Sequence, residues 1–116
     1  MPERRNASRK KFSFYMSVVD DDTQAILGHM VEVSSSGLQL ETVGPLPLNK
    51  EYYLRVELTK DLGNVPYIVF IARTRWCNID TIQPNLYHCG FAIVEIMPED
   101  KEIFLRIVEK YGSSKS

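Results

Sequence analysis

Apolar residues recur at every second position over most of this chain, and at every third or fourth position only near its end. Period two sends alternate side chains to opposite faces of a strand, whereas a 3.6-residue period gathers them on one stripe of a helix. Phe12, Phe14, Met16 and Val18 alternate with Ser13, Tyr15, Ser17 and Val19, which predicts a first strand with one buried face. A second strand is predicted over 24–33, where Gly28 marks a bulge or a sharp bend. Leu38, Leu40 and Thr42 open a third, which Pro45 and Pro47 break by removing ladder donors. In the fourth, Tyr52, Leu54, Val56 and Leu58 face inward and Tyr53, Arg55 and Glu57 outward. The fifth runs over 67–76 and the sixth over 86–96. Ile103, Phe104, Ile107, Val108 and Tyr111 then keep helical spacing, with Pro98 at the start, acidic Glu99, Asp100 and Glu102 in the early turns and Gly112 at the stop.

Six short strands with turns about every ten residues, followed by one amphipathic helix, predict an all-β fold: a closed or nearly closed antiparallel β-barrel with a C-terminal α-helix over one end or side. At 116 residues the chain is read as a single domain, with an arm over 1–11, the barrel over 12–97 and the helix over 98–112. A barrel this small fills its interior with side chains, so a ligand must bind outside. Asp20, Asp21 and Asp22 read as a charged hairpin tip rather than a cation loop, because no further oxygen ligands follow at loop spacing.

Charge is unevenly placed. The first eleven residues carry Arg4, Arg5, Arg9, Lys10 and Lys11 against Glu3 alone, whereas the remainder holds nine Lys or Arg against fourteen Asp or Glu. A basic arm on a mildly acidic body attracts anions locally. A pI near 6.1 argues against a general DNA or RNA binder. No apolar run reaches the roughly 20 residues of a membrane helix, and no apolar segment follows the basic start, so a cytoplasmic location without membrane insertion is expected. Cys77 and Cys89 are expected to be reduced core residues, roughly opposite each other across a turn near Gln83 and Pro84. With His29 and His88 they lack structural-zinc spacing, so no metal site and no cofactor is expected. No nucleophile elbow, phosphate-binding loop or metalloprotease helix is present, which points away from an enzyme.

Two segments carry binding chemistry. Arg5 and Arg9, separated by three residues on the arm, offer permanently charged donor forks. The stretch over 32–38, with Glu32, Ser34, Ser35, Ser36 and Gly37, offers hydroxyls and a glycine that allows close backbone approach. Together they suit phosphates and the O6 and N7 acceptors of guanine. Trp76 is read chiefly as core or barrel surface, with base stacking as its functional alternative, and Arg73 and Arg75 as a possible extension of the basic surface or as cross-strand ion pairs.

Arg5-x-x-x-Arg9, followed after about twenty residues by x-x-Ser34-x-x-Gly37, resembles the bipartite signature of PilZ domains, and the segment from Tyr87 to Ala92 is similar to that family's sixth strand. The resemblance covers essentially the whole chain. It implies a six-stranded barrel with a C-terminal helix and a ligand, the bacterial second messenger cyclic di-GMP. It further implies that Arg5 and Arg9 grip phosphate and guanine, that Ser34 bonds a guanine or phosphate edge, that Gly37 permits the tight path of the loop, and that Arg4 meets a second stacked ligand molecule. Glu32 stands where the family has Asp or Asn; it keeps the carboxylate but adds a methylene. The expected activity is that of a non-catalytic cyclic di-GMP receptor, whose arm closes over the ligand and alters a surface for a downstream protein partner. The alternatives are an adaptor that works without nucleotide and a small-barrel RNA binder stacking bases on Trp76, Tyr52 and Tyr53.

Overall fold

The computed structural model describes residues 16–111. The alternation becomes a wall of strands: β1 (Ser17–Asp20), β2 (Ile26–Ser34), β3 (Gly37–Thr42), β4 (Glu51–Glu57), β5 (Tyr67–Ile79) and β6 (Tyr87–Glu95), then helix α1 (Pro98–Tyr111). All neighbouring strands are antiparallel, and the sheet closes on itself in the order β1-β2-β3-β6-β5-β4. The described part of the first strand starts at Ser17; Phe12 and Phe14 lie outside the described residues. Among the described residues, closure leaves no unpaired strand edge to template aggregation.

The inward positions Val18, Met30, Leu40, Leu54, Val56 and Phe70 make the core, and α1 seals it with Phe104 and Ile107. The Phe104 ring meets Phe70 edge-on, with centroids 5.4 Å apart, and burying such a ring stabilises the fold by roughly 1.5–3 kcal/mol. Leu62 is also fully buried, although its neighbours Asp61, Gly63 and Asn64 read as a turn. Its carbonyl accepts a hydrogen bond from Arg106 Nη1 at 3.0 Å, which ties this turn to α1.

Polar side chains hold the connections. Asp20 Oδ1 accepts from the amides of Asp22, at 2.9 Å, and Thr23, so its carboxylate serves the turn itself, and Asp21 pairs with Arg55. Gly28 flanks a register shift between β1 and β2, in line with the bulge or bend predicted there, and a Cβ on it would lie 2.2 Å from the Glu41 carbonyl oxygen. Buried Thr74 donates to the Pro47 carbonyl at 2.6 Å and accepts from the Lys50 amide at 3.1 Å, pinning the proline-bearing loop to β5.

Two expectations change. Cys77 and Cys89 are not reduced but joined in a disulfide; they face each other directly in the β5–β6 register, which brings their thiols within bonding reach. Tyr52 is buried against Phe91, so it cannot stack an RNA base from outside. Among the described residues no helix is long and apolar enough to cross a membrane.

Candidate functional site

Two interruptions of the strand register shape the outer surface. On β2, Met30 pairs with Leu40 and Glu32 with Gln39, so Val31 is an extra residue. Strict alternation from buried Met30 would have turned Glu32 inward and Val33 outward. The bulge reverses the phase: Val33 is buried, and Glu32 and Ser34 face a surface groove. On β5, Thr74 pairs with Phe91 and Trp76 with Gly90, so Arg75 is the extra residue. Counting from buried Thr74, Trp76 would have entered the core; instead it stands 39% exposed beside exposed Arg75.

The two bulges bring Glu32, Gln39, Gly90 and Trp76 into one row across β2, β3, β6 and β5. Gly90 makes the row concave. A Cβ there would lie 2.3 Å from Trp76 Cε2, so the indole rests over the space that a side chain would fill. The result is a groove of about 360 Å³ along whose walls Glu32, Ser34, Gly37, Arg75 and Trp76 converge.

The β2–β3 turn forms one end. Ser34 pairs with Gly37, and Ser35 and Ser36 are exposed between them. Neither serine has a positive φ, so this two-residue hairpin is not of the primed type that usually matches strand twist. The Ile93 amide donates to the Ser36 carbonyl at 3.0 Å and hooks the turn to β6. Gly37 is required there by the barrel rather than by loop conformation: its φ is not positive, but a Cβ would lie 2.1 Å from the Phe91 carbonyl oxygen. On the far side of the turn a second hollow lies against α1, between Ser36, Glu95, Lys101 and Phe104, so the serine turn separates two concavities.

Chemically the groove offers a flat aromatic face in Trp76, a planar cation in Arg75, a carboxylate in Glu32 and a hydroxyl in Ser34. Among the described residues Arg75 forms no ion pair, whereas Arg73 is taken by Glu51 across the β4–β5 register. The structure therefore brings Glu32, Ser34 and Gly37 together; Arg4, Arg5 and Arg9 lie outside the described residues.

The PilZ domain family model matches residues 3–110. The chain belongs to the PilZ family. The solved structure of the Bacillus subtilis inhibitor of motility (MotI/DgrA) is similar, with a TM-score of 0.56 at 13% identity; the match covers 87% of this chain and 49% of that one. At that identity the likeness concerns the fold, and this PilZ domain spans about half the length of the other chain. No curated protein matches the sequence. As a PilZ domain it belongs to a family of cyclic di-GMP receptors and adaptors, and such domains are generally binding modules rather than catalysts. Sequence reasoning missed Gln39, although plain alternation between Leu38 and Leu40 turns it outward, and left undecided the placement of Trp76 and Arg75 in the groove of this PilZ domain. A bulge moves a side chain to the opposite face without changing the composition of the strand; the available signal was Gly90, a strand glycine whose missing side chain implies a close neighbour.

Proposed function

We propose that this PilZ domain is a non-catalytic receptor for cyclic di-GMP, in which the basic arm closes over the ligand in the groove and changes the surface that a protein partner meets. The observation that carries this reading is the convergence of Ser34, Glu32, Arg75 and the open indole of Trp76 on one concavity. An aromatic face stacks a base for about 1–3 kcal/mol. Arginine forks pair bidentately with phosphate oxygens and with the O6 and N7 acceptors of guanine. Arg75 supplies one fork, and Arg4, Arg5 and Arg9 of the arm supply others to a doubly negative ligand. Ser34 bonds an edge of the ligand, and the Ser35–Ser36 turn, walled by the second hollow beside α1, is where closure would be felt by a partner. No cofactor is needed for such a role.

Isothermal titration of the full chain with cyclic di-GMP tests the reading. Binding with a dissociation constant of roughly tens of micromolar or tighter supports it, and it should weaken as salt rises because the arm's charges are screened. Arg5→Ala and Arg9→Ala should each remove most of the binding and leave the fold intact; normal binding by both variants would show that the arm is not part of the site.

A second reading, an adaptor that acts by protein contacts without nucleotide, is favoured by Glu32. Its longer side chain occupies the groove where the family motif has Asp or Asn. A folded protein that stays silent in the titration selects it. The similar Bacillus subtilis structure is that of an inhibitor of motility, which makes motility machinery the first place to look for a partner.

A further inference from the structure

The groove residue Gln39 is wired to a titratable pair behind it. His88, diagonal to Gln39 across β3 and β6, places Nδ1 3.0 Å from Gln39 Nε2 and Nε2 2.9 Å from Asp80 Oδ2. Asp80 is fixed in turn: its Oδ1 accepts from the amides of Ile82, at 2.8 Å, and Gln83, at 2.9 Å. Those amides, foremost that of Gln83, and then the imidazole hold the Asp80 carboxyl down at about 2, so it remains an acceptor throughout the neutral range.

Donor and acceptor roles then follow without choice. An ionised carboxylate only accepts, so the His88 proton sits on Nε2. Nδ1 of that neutral ring is bare and accepts from Gln39 Nε2–H. The amide of Gln39 is thereby held with its nitrogen toward His88, which leaves the carbonyl Oε1 for the groove that Gln39 lines. Protonating His88 inverts this. Both ring nitrogens then donate, so the Gln39 amide must turn to give Oε1 to Nδ1–H and its NH₂ to the groove.

We propose that Gln39 is a specificity-determining contact of the groove, and that the Asp80–His88 pair is the positioning device that decides whether the ligand meets an acceptor or a donor there. The proposal rests on the reading of the groove as a guanine-nucleotide site. With His88 neutral, Oε1 accepts from the N1–H and exocyclic amine edge of guanine, a pattern that adenine lacks. With His88 protonated, an NH₂ group opposes those same donors, so acid weakens binding. The other titratable or charged groups nearby are Glu41, directly opposite His88 on β3, His29, opposite Glu41 on β2, and Glu32 and Arg75 in the groove itself. The control variants must separate these from His88.

The test is calorimetric titration of the full chain with cyclic di-GMP and, separately, cyclic di-AMP at roughly pH 8 and roughly pH 5. The native protein should lose about tenfold in cyclic di-GMP affinity at the lower pH and prefer the guanine ligand at the higher one. Gln39→Leu should reduce the preference, leaving the part that the arginine forks supply, and lose the pH response. His88→Gln should flatten the pH response, and His29→Gln should leave it in place. Nitrogen-15 spectra of the unliganded native protein should show His88 protonated at Nε2 and bare at Nδ1 at the higher pH. Native protein that binds neither ligand overturns the guanine reading of the groove, and the role of Gln39 with it. Binding that ignores both pH and Gln39→Leu, or an His88 ring carrying its proton on Nδ1, overturns the relay and leaves the guanine reading standing.

Discussion

Strand β5 belongs to two walls of different character. Against β4, seven residue pairs from Glu51↔Arg73 to Glu57↔Tyr67 follow one another without a shift. Against β6 the register slips twice, once at Ile71/Ala72 and again at Thr74/Trp76. The regular wall keeps inside and outside in strict alternation, so its inward residues Leu54, Val56, Ile68 and Phe70 are all buried. The slipped wall gives up part of that ladder, and in exchange an arginine and a tryptophan reach the surface side by side. Both walls bury core residues, but the outward binding chemistry gathers at the second, on one continuous strand.

Substitutions in the two walls should therefore separate folding from binding. Leu54→Ala, at the centre of the regular wall and fully buried, is expected to destabilise the protein most, by about 2–5 kcal/mol in chemical denaturation; a loss below about 1 kcal/mol would mean that the core around Leu54 is not tightly packed. Gly37→Ala adds a methyl against the Phe91 carbonyl where β3 pairs with the other edge of β6, and there backbone rather than a side chain must yield. A loss of about 1–3 kcal/mol is expected, accompanied by weaker cyclic di-GMP binding because the serine turn moves with β3. In Gly90→Ala the nearest atoms to the added methyl all belong to the half-exposed Trp76 ring, which must swing aside. Stability should fall by less than about 1 kcal/mol while ligand affinity drops several-fold; equal stability loss in Gly37→Ala and Gly90→Ala would contradict this difference.

The smallest effect should come from acid. Asp61 is held at about 2, chiefly by its hydrogen bond from Lys110 and then that from Thr59, and Asp80 at about 2, chiefly by backbone amides. Both carboxyls are depressed in the folded state, so each contributes stability above the ordinary carboxylate range, and that contribution disappears as pH falls from about 4 towards 2. The Asp61 part rests on an exposed lysine and should shrink in high salt. The Asp80 part rests on amide donors and should persist. Denaturation midpoints followed against pH at low and high salt, with Asp80→Asn as reference, would distinguish the two.

The regular wall was legible in the sequence and the slipped wall only partly. The alternation of Tyr52, Leu54 and Val56 with Tyr53, Arg55 and Glu57 translates directly into β4, and the helical spacing of Phe104 and Ile107 into α1. The serine-glycine segment over 34–37 was found because its residue types are unusual in a strand. Trp76 and Arg75 were legible as binding alternatives, but the face each occupies was not, for a physical reason. A single inserted residue shifts every later side chain by one face, and nothing local in the sequence of β5 records where the insertion falls. Leu62 escaped because a turn can tuck one apolar side chain under a helix without any periodicity. The Cys77–Cys89 pairing was half visible: position placed them opposite, whereas their oxidation state was expected from compartment rather than from geometry.

Trp76 is the sole indole in the sequence, and it lies at the mouth of the groove with its ring partly open to water. The molecule thus carries an intrinsic fluorophore at the spot where occupancy matters. Its emission should shift and quench when a purine covers it, giving a label-free optical readout for any small molecule offered to this protein.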